Sequence, residues 1–340
     1  MIDFSELDRL ELQQTLTELG MPRFHGNQIF RWIYRRGVHD PAQMTDLSRD
    51  LRAKLSETIT VTTPELVKKE VSSDGTTKFL LKLADGQLIE SVYIPDTPAQ
   101  TFCVSTQVGC AMKCAFCLTG KMGLIRNLTA GEIAGQVRVL AHETHLADQS
   151  FNIVLMGMGE PLHNYDAVMK SMRMLADPEG FGVNPKRVTL STVGVVPAML
   201  KLAEEELMPN LAISLHATTE AQRDKLVPIN RKYDIEELIE ACRQMPLRRR
   251  GKITFEYVML AGENDSPDDA RRLVKLLRGL KAKVNLLPLN EAAGIEFKRP
   301  SDEVVNRFAK ILSENDVLVT VRTSRGRDIR AACGQLATDR

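Results

Sequence analysis

Apolar positions in the first sixty or so residues recur at helical spacing. In FSELDRLELQQTLTELG, Leu7, Leu10, Leu12, Leu16 and Leu19 fall near a 3.6-residue period, and Gly20 supplies a C-cap. GNQIFRWIYRRG and DLSRDLRAKLSET predict two further short helices. From about 64 to 97 the pattern turns to strand-like runs, ELVKKEVSSDG, TTKFLLKLADG and QLIESVYIPD, divided by Asp-Gly turn signals. Beyond them, apolar runs alternate with amphipathic segments. Strands are predicted over 101–107, 151–157, 187–192, 210–215, 252–259, 283–288 and 317–322, and helices over 129–146, 164–176, 196–206, 234–245, 266–279 and 301–314. Thr129 with Glu132 makes a capping box, and Ser301 or Asp302 can cap the last helix. Strand then helix, repeated, predicts parallel strands with right-handed crossovers. The fold class is therefore α/β, a partial or complete β/α barrel, with an open doubly wound sheet as the alternative. Three regions follow: a helical unit over 1–62, a β-rich extension over 63–98 and the barrel over 99–340.

Composition adds limits. With 340 residues, 43% hydrophobic and 26% charged, the chain can bury a sizeable core. A net charge of +1 puts any basic binding site in a local patch. The start, MIDFSELDRLELQQ, lacks the apolar core of a signal peptide, and no apolar run reaches membrane-spanning length, so a cytoplasmic location is expected. Six cysteines in such a setting suit metal binding, catalysis or plain core packing better than a disulfide framework.

In β/α barrels, function gathers where strands end and loops begin. FNIVLM runs into Gly157-Met158-Gly159-Glu160-Pro161, and RVTL into Ser191-Thr192-Val193-Gly194. NLAI is followed by Ser214, Leu215 and His216, KVNLLPL ends at Asn290, and VLVTV leads into RTSRGRDIRAACGQ with Cys333. Each cluster alone reads as a turn or a satisfied core residue. Their shared placement predicts one functional rim.

The first strand leads into VGCAMKCAFCLTG, with Cys110, Cys114 and Cys117 in a C-x3-C-x2-C spacing. Structural zinc takes four ligands, and Cys103 or Cys333 could complete such a site. Three thiolates on a 4Fe–4S cluster instead leave one iron open for chemistry. This spacing after a first barrel strand resembles the radical S-adenosylmethionine (SAM) superfamily. The series QVGCAMKCAFCLTG, GMGEP, STVG, SLHA, LPLN and ACGQL, with NQIFRWIY near the start, resembles the RlmN group of RNA adenine-C2 methyltransferases over essentially the whole chain.

The resemblance implies a residue set. Cys110, Cys114 and Cys117 would hold one 4Fe–4S cluster whose fourth iron takes SAM. Gly159, Glu160, Ser191, Ser214, Leu215, His216 and Asn290 would contact SAM, with the Glu160 carboxylate facing its ammonium. Cys333 would carry the methyl as S-methylcysteine, Cys103 would resolve it through a transient disulfide with Cys333, and Glu90 would accept the C2 proton. Arg325, Arg327 and Arg330 lie close in sequence to Cys333 and are expected to lower its pKa. Cys242 reads as a buried structural cysteine. Implied partners are 23S rRNA near the peptidyl-transferase centre, tRNA, and an electron donor such as flavodoxin, with a monomeric enzyme and no membrane. In 21–38, aromatic residues at Phe24, Phe30, Trp32 and Tyr34 would pack inward while arginines face RNA; PLRRRGK and the final arginines are further RNA contacts to test. Two other functions fit parts of this set, a sibling methyltransferase acting at adenine C8 and a non-catalytic, zinc-stabilised RNA-binding protein.

Overall fold

The computed structural model describes residues 1–95, 99–249 and 251–338. The end of the predicted extension at 96–98, Arg250 in PLRRRGK and residues 339–340 lie outside the described residues. In the N-terminal unit, β1 (Ile2–Asp3) pairs in parallel with β2 (Ile59–Thr60) around α1 (Arg9–Glu18), α2 (His25–Tyr34) and α3 (Arg49–Thr58). Asp8 closes a capping box on α1 and Ser48 caps α3, so local chemistry sets both starts. Phe30, Trp32 and Tyr34 of α2 are buried as the sequence predicts, together with Ile29 and Ile33, but Phe24 is 64% exposed because it precedes the helix at its N-cap, off the inward face.

Next come β3 (Glu65–Val71), β4 (Thr77–Lys82) and β5 (Leu88–Ile94), an antiparallel meander. β5 pairs antiparallel with β6 (Thr101–Cys103), the first barrel strand, so the extension and the barrel share one ten-stranded sheet. The predicted strand 101–107 splits after Cys103. Thr106 and Gln107 turn their N–H groups onto the Met158 carbonyl, and the chain starts a hairpin, β7 (Gln107–Gly109) with β8 (Leu124–Asn127), carrying α4 (Leu118–Met122) between its strands. α5 (Ala130–Glu143) then begins on the Thr129–Glu132 capping box.

Six more strands join β6 in parallel and in chain order: β9 (Asn152–Leu155), β10 (Val188–Thr192), β11 (Asn210–Ser214), β12 (Ile253–Met259), β13 (Ala282–Pro288) and β14 (Leu318–Val321). Between them run α6 (Tyr165–Ala176), α7 (Val196–Leu202), α8 (Glu220–Leu226), α9 (Ile235–Arg243), α10 (Pro267–Leu276) and α11 (Asp302–Ser313). The strand order ends at β14 on one side and runs on into the meander on the other, so this is the expected partial barrel. Among the described residues no helix is long and apolar enough to cross a membrane.

One hydrophobic core spans all three regions. Phe30 stacks on Tyr34 at 4.4 Å between ring centroids, Tyr34 meets Phe181 edge-on at 5.9 Å, and Phe181 meets Phe151 at 5.6 Å. The arginines of 21–38 lie exposed, opposite the buried face of α2, and each also has a partner within the protein. Arg31 pairs with Glu179 at 2.5 Å, Arg35 donates to the carbonyls of Gly180 and Pro178, Arg23 donates to Gln13, and Arg36 stacks over Trp32. Two of them, Arg31 and Arg35, reach the 177–180 turn of the barrel and fasten α2 to it.

Candidate active site

The cysteine loop is set by backbone conformation. Gly109 has φ +74, and a Cβ there would overlap the Gly123 carbonyl oxygen, which accepts from the Cys110 N–H at 3.0 Å. From there the chain carries Cys110, Cys114 and Cys117 around one open cleft. The cleft has a cavity volume of about 170 Å³ and opens to solvent. Gly159, Glu160, Ser191, Ser214, His216, Asn290 and Cys333 line the same cleft. Five strands and the C-terminal segment thus deliver ten predicted residues to one place.

Several of these residues do structural work first. Glu160 accepts from the Leu162 N–H at 3.0 Å through Oε1 and from the Val193 N–H at 2.9 Å through Oε2. Burial pushes its carboxyl up to about 7 against those hydrogen bonds. Each oxygen therefore helps to hold a loop in place, and each keeps a further lone pair for a ligand in the cleft that Glu160 lines. At Gly159, φ +104 and the nearness of Gln107, 2.6 Å from where a Cβ would stand, leave room only for glycine. His216 accepts from the Val258 N–H through Nδ1 at 3.0 Å, and burial lowers its pKa to about 3, with Arg223 adding to the effect. The ring is neutral at working pH. Leu215 is fully buried and does not line the cleft; its N–H donates to the Glu256 carbonyl. Asn290 donates to the Cys333 carbonyl at 3.4 Å, and its buried Oδ1 has no hydrogen-bond partner among the described residues.

The C-terminal segment lays Cys333 on the cleft. Gly334 accepts from the Leu118 N–H at 2.9 Å, Leu336 from Thr119 at 2.6 Å, and Glu90 from the Ala337 N–H at 2.9 Å. Glu90 is buried on β5, also pairs with Lys78 at 3.0 Å, and does not line the cleft. Burial raises its pKa against the pull of Lys78. Cys103 is buried at the end of β6, behind the cleft lining, and burial pushes its thiol up to about 12, with the Cys333 charge adding to the rise. Arg322 lines the cleft with Cys333, and Cys333 most of all, then Glu256 and Cys103, raise the Arg322 pKa. All six cysteines are free thiols, so the expected Cys103–Cys333 disulfide is not a bond of this structure. Cys242 is buried in the core, as its position on α9 suggested.

Sequence reasoning missed two residues here. Arg223, fully buried on α8, donates to the carbonyls of Leu215 and Val193 and to Asn230 Oδ1, tying the β10 and β11 loops together. Nothing in EAQRDKL distinguishes it from a solvated helix arginine. Glu256 lines the cleft from within β12, where apolar neighbours hide it.

The donor set fits an iron–sulfur cluster. Burial pushes Cys110 up to about 12 and raises Cys114 and Cys117, and neighbouring thiol charges add to the rise. Three thiolates here want a strongly cationic group, and a cluster gives each its own iron. Among the described residues, no three His, Cys, Asp or Glu side chains are grouped to hold a single metal ion.

An open parallel barrel with a C-x3-C-x2-C loop on its catalytic rim is the architecture of a radical SAM enzyme. Residues 104–276 match the model of the radical SAM superfamily, and residues 2–61 that of the ribosomal RNA large subunit methyltransferase N-terminal domain. The dual-specificity RNA methyltransferase RlmN of Paracoccus denitrificans is 48% identical, over 98% of this chain and 90% of its own. That of Geobacter sulfurreducens is 46% identical, over 99% and 92%. The crystal structure of a radical SAM methyltransferase from Sphaerobacter thermophilus superposes with a TM-score of 0.93 at 46% identity, covering 99% of both chains. The chain belongs to the RlmN family of radical SAM methyltransferases.

Proposed function

We propose that this protein methylates C2 of adenine in RNA, with 23S rRNA and tRNA as substrates, in the cytoplasm and with an electron donor such as flavodoxin. The observation that carries the reading is that Cys333, an exposed thiol beside Arg322, shares one cleft with the cysteine trio. Cys110, Cys114 and Cys117 would hold a 4Fe–4S cluster, with SAM along Gly159, Glu160, Ser191, Ser214, His216 and Asn290. Bound there, the cluster supplies one-electron chemistry, which adenine C2 needs because that electron-poor carbon does not attack a sulfonium methyl as a thiolate does.

The chain's own residues do the rest. Cys333 gives its proton to solvent and takes a methyl from one SAM by displacement, so the methyl rides on its sulfur in the cleft. A second SAM is consumed in joining that carbon to C2. Glu90, buried behind the Cys333 segment and tied to it through Ala337, is the proposed proton acceptor. Cys103 attacks the Cys333 sulfur and frees the methylated base, forming an S–S bond that reduction then opens.

The test is nuclease digestion and mass spectrometry of RNA treated with wild type or Cys333→Ala. Wild type should yield 2-methyladenosine; the variant should yield none while binding as much iron and sulfide as wild type. Production of 8-methyladenosine by wild type, or retained methylation by Cys333→Ala, overturns the assignment.

A further inference from the structure

Cys333 lines a second cavity besides the cleft. Its volume is about 780 Å³, against about 170 Å³ for the cleft. The residues around it place its mouth at the opposite end of the barrel. Asn152 and Asn210 open β9 and β11, Lys186 and Arg187 lead into β10, and Lys283 is the second residue of β13. The cleft is lined instead by the last residues of these strands and by the loops after them. Lys186, Arg187 and Asn210 are exposed, so the lower cavity meets solvent there.

The charge of this cavity is one-sided. Lys186, Arg187, Lys283, Arg322 and Arg325 line it, with Glu256 as its one lining carboxylate. Arg187 reaches Asn152 at 3.4 Å, and none of the five cations stands in an ion pair among the described residues. Unpaired cations around a cleft draw anions in and raise their local concentration. Two routes to one sulfur also matter for the reaction. When Cys103 frees the methylated base, Cys103 and Cys333 are joined and the product RNA still lies over the cleft. The upper route to the S–S bond is then covered. The lower one is open.

We propose that the lower cavity admits an anionic low-molecular-weight thiol, which reduces the Cys103–Cys333 bond from beneath the bound RNA. This rests on the reading above, in which that bond forms once per turnover. The thiolate attacks Cys333, the sulfur that lines the cavity, and Cys103 leaves with the electron pair and takes a proton from water. A second thiolate attacks the small molecule's sulfur in the mixed disulfide, and Cys333 leaves as a thiolate. Two small thiols are thus oxidised to their own disulfide and two cysteines are reduced, with the protons exchanged through solvent. Arg322, which lines both cavities with Cys333, favours the thiolate that the next methyl transfer needs. A folded redox protein is too large to follow this route.

The experiment starts from enzyme left oxidised by one turnover on RNA without added thiol. Recovery of free Cys333 is followed by alkylation and peptide mass spectrometry after addition of glutathione, an anion, or 2-mercaptoethanol, which is neutral. In Lys186→Glu/Arg187→Glu the rate with glutathione should fall roughly tenfold from wild type, while the rate with 2-mercaptoethanol and the melting temperature hold. Raised salt should slow glutathione on wild type and leave 2-mercaptoethanol unaffected. Saturating product RNA should leave the wild-type rate with glutathione unchanged. The salt and RNA arms use wild type alone, so neither depends on how the variant folds. Equal glutathione rates in the two proteins overturn the proposal, and so does a block by RNA, which puts the entrance at the upper cleft. Reduction by a dithiol redox protein but not by glutathione overturns it as well. If one turnover leaves no Cys103–Cys333 bond to reduce, the resolving role of Cys103 falls, and this inference with it.

Discussion

Arg223 has no exposed surface, yet it is the group on which two loops of the cleft depend. Its guanidinium donates to Val193 at 2.6 Å, to Leu215 at 3.2 Å and to Asn230 at 3.0 Å, and burial lowers its pKa to about 10, partly offset by Cys114 and Glu220. The arrangement uses the planar fork of arginine, whose donors point in fixed, divergent directions; an ammonium cannot cover the same span. Arg223→Met should cost on the order of 3 kcal/mol, because it strands three buried acceptors. Arg223→Lys should recover little of that. Denaturant unfolding of the two variants measures both, and a loss below about 1 kcal/mol in Arg223→Met would show that the loops hold without it.

The elements divide into those that the chain's periodicity specifies and those that tertiary contacts decide. Runs such as 253–259, buried along its whole length, and 302–313, amphipathic and capped by Ser301, fold as strand and helix because local pattern and burial agree. The cysteine trio and the glycines around it were readable for a similar reason: their spacing is local and dictates local backbone. By contrast, the 101–107 run is apolar enough for a strand, but the Met158 carbonyl captures its second half. The loop-bracing role of Glu160 was hidden, because nothing in GMGEP shows that Val193, beyond another strand, would use its oxygen. The segment from Gly326 to Leu336 is the clearest case. It has little regular structure, and its place is set by distant partners: Asp74 accepts from the Gly326 N–H at 3.0 Å, while Asp328 accepts from Ser72 Oγ at 2.5 Å and the Ser73 N–H at 3.1 Å. The β3–β4 turn is therefore the platform on which the Cys333 segment rests. Asp328→Ala should loosen that segment without unfolding the barrel, since local opening takes less free energy than global unfolding. Trypsin cleavage at Arg325, Arg327 and Arg330 should accelerate and methylation should slow, while the melting temperature holds. Unchanged cleavage would mean that the contacts at Gly334, Leu336 and Ala337 suffice.

Across the molecule, the N-terminal unit is fastened to the barrel at several points. Glu6 accepts from Thr129 Oγ1 at 2.5 Å and from the Gly131 N–H at 3.0 Å, capping α5 from outside the barrel. Arg9 pairs with Asp177 at 2.8 Å, and Arg138, nearly buried on α5, donates to the Thr62 carbonyl at 2.7 Å. Tyr34 closes the seam by covering Phe181. An independent domain would leave none of these behind when removed. Here a chain starting at residue 63 would expose Phe181 and strip Arg138 and the start of α5 of their partners. Uncovering a few large side chains at about 2 kcal/mol each, and orphaning buried polar groups at about 1–3 kcal/mol each, consumes much of the roughly 5–15 kcal/mol that keeps a domain folded. The shortened chain should aggregate or melt far below the full-length protein, and residues 1–62 alone should show no cooperative unfolding by circular dichroism. If both pieces instead melt cooperatively and the barrel keeps its melting temperature, the unit is a separable module and the seam at Tyr34 and Phe181 carries little of the fold's stability.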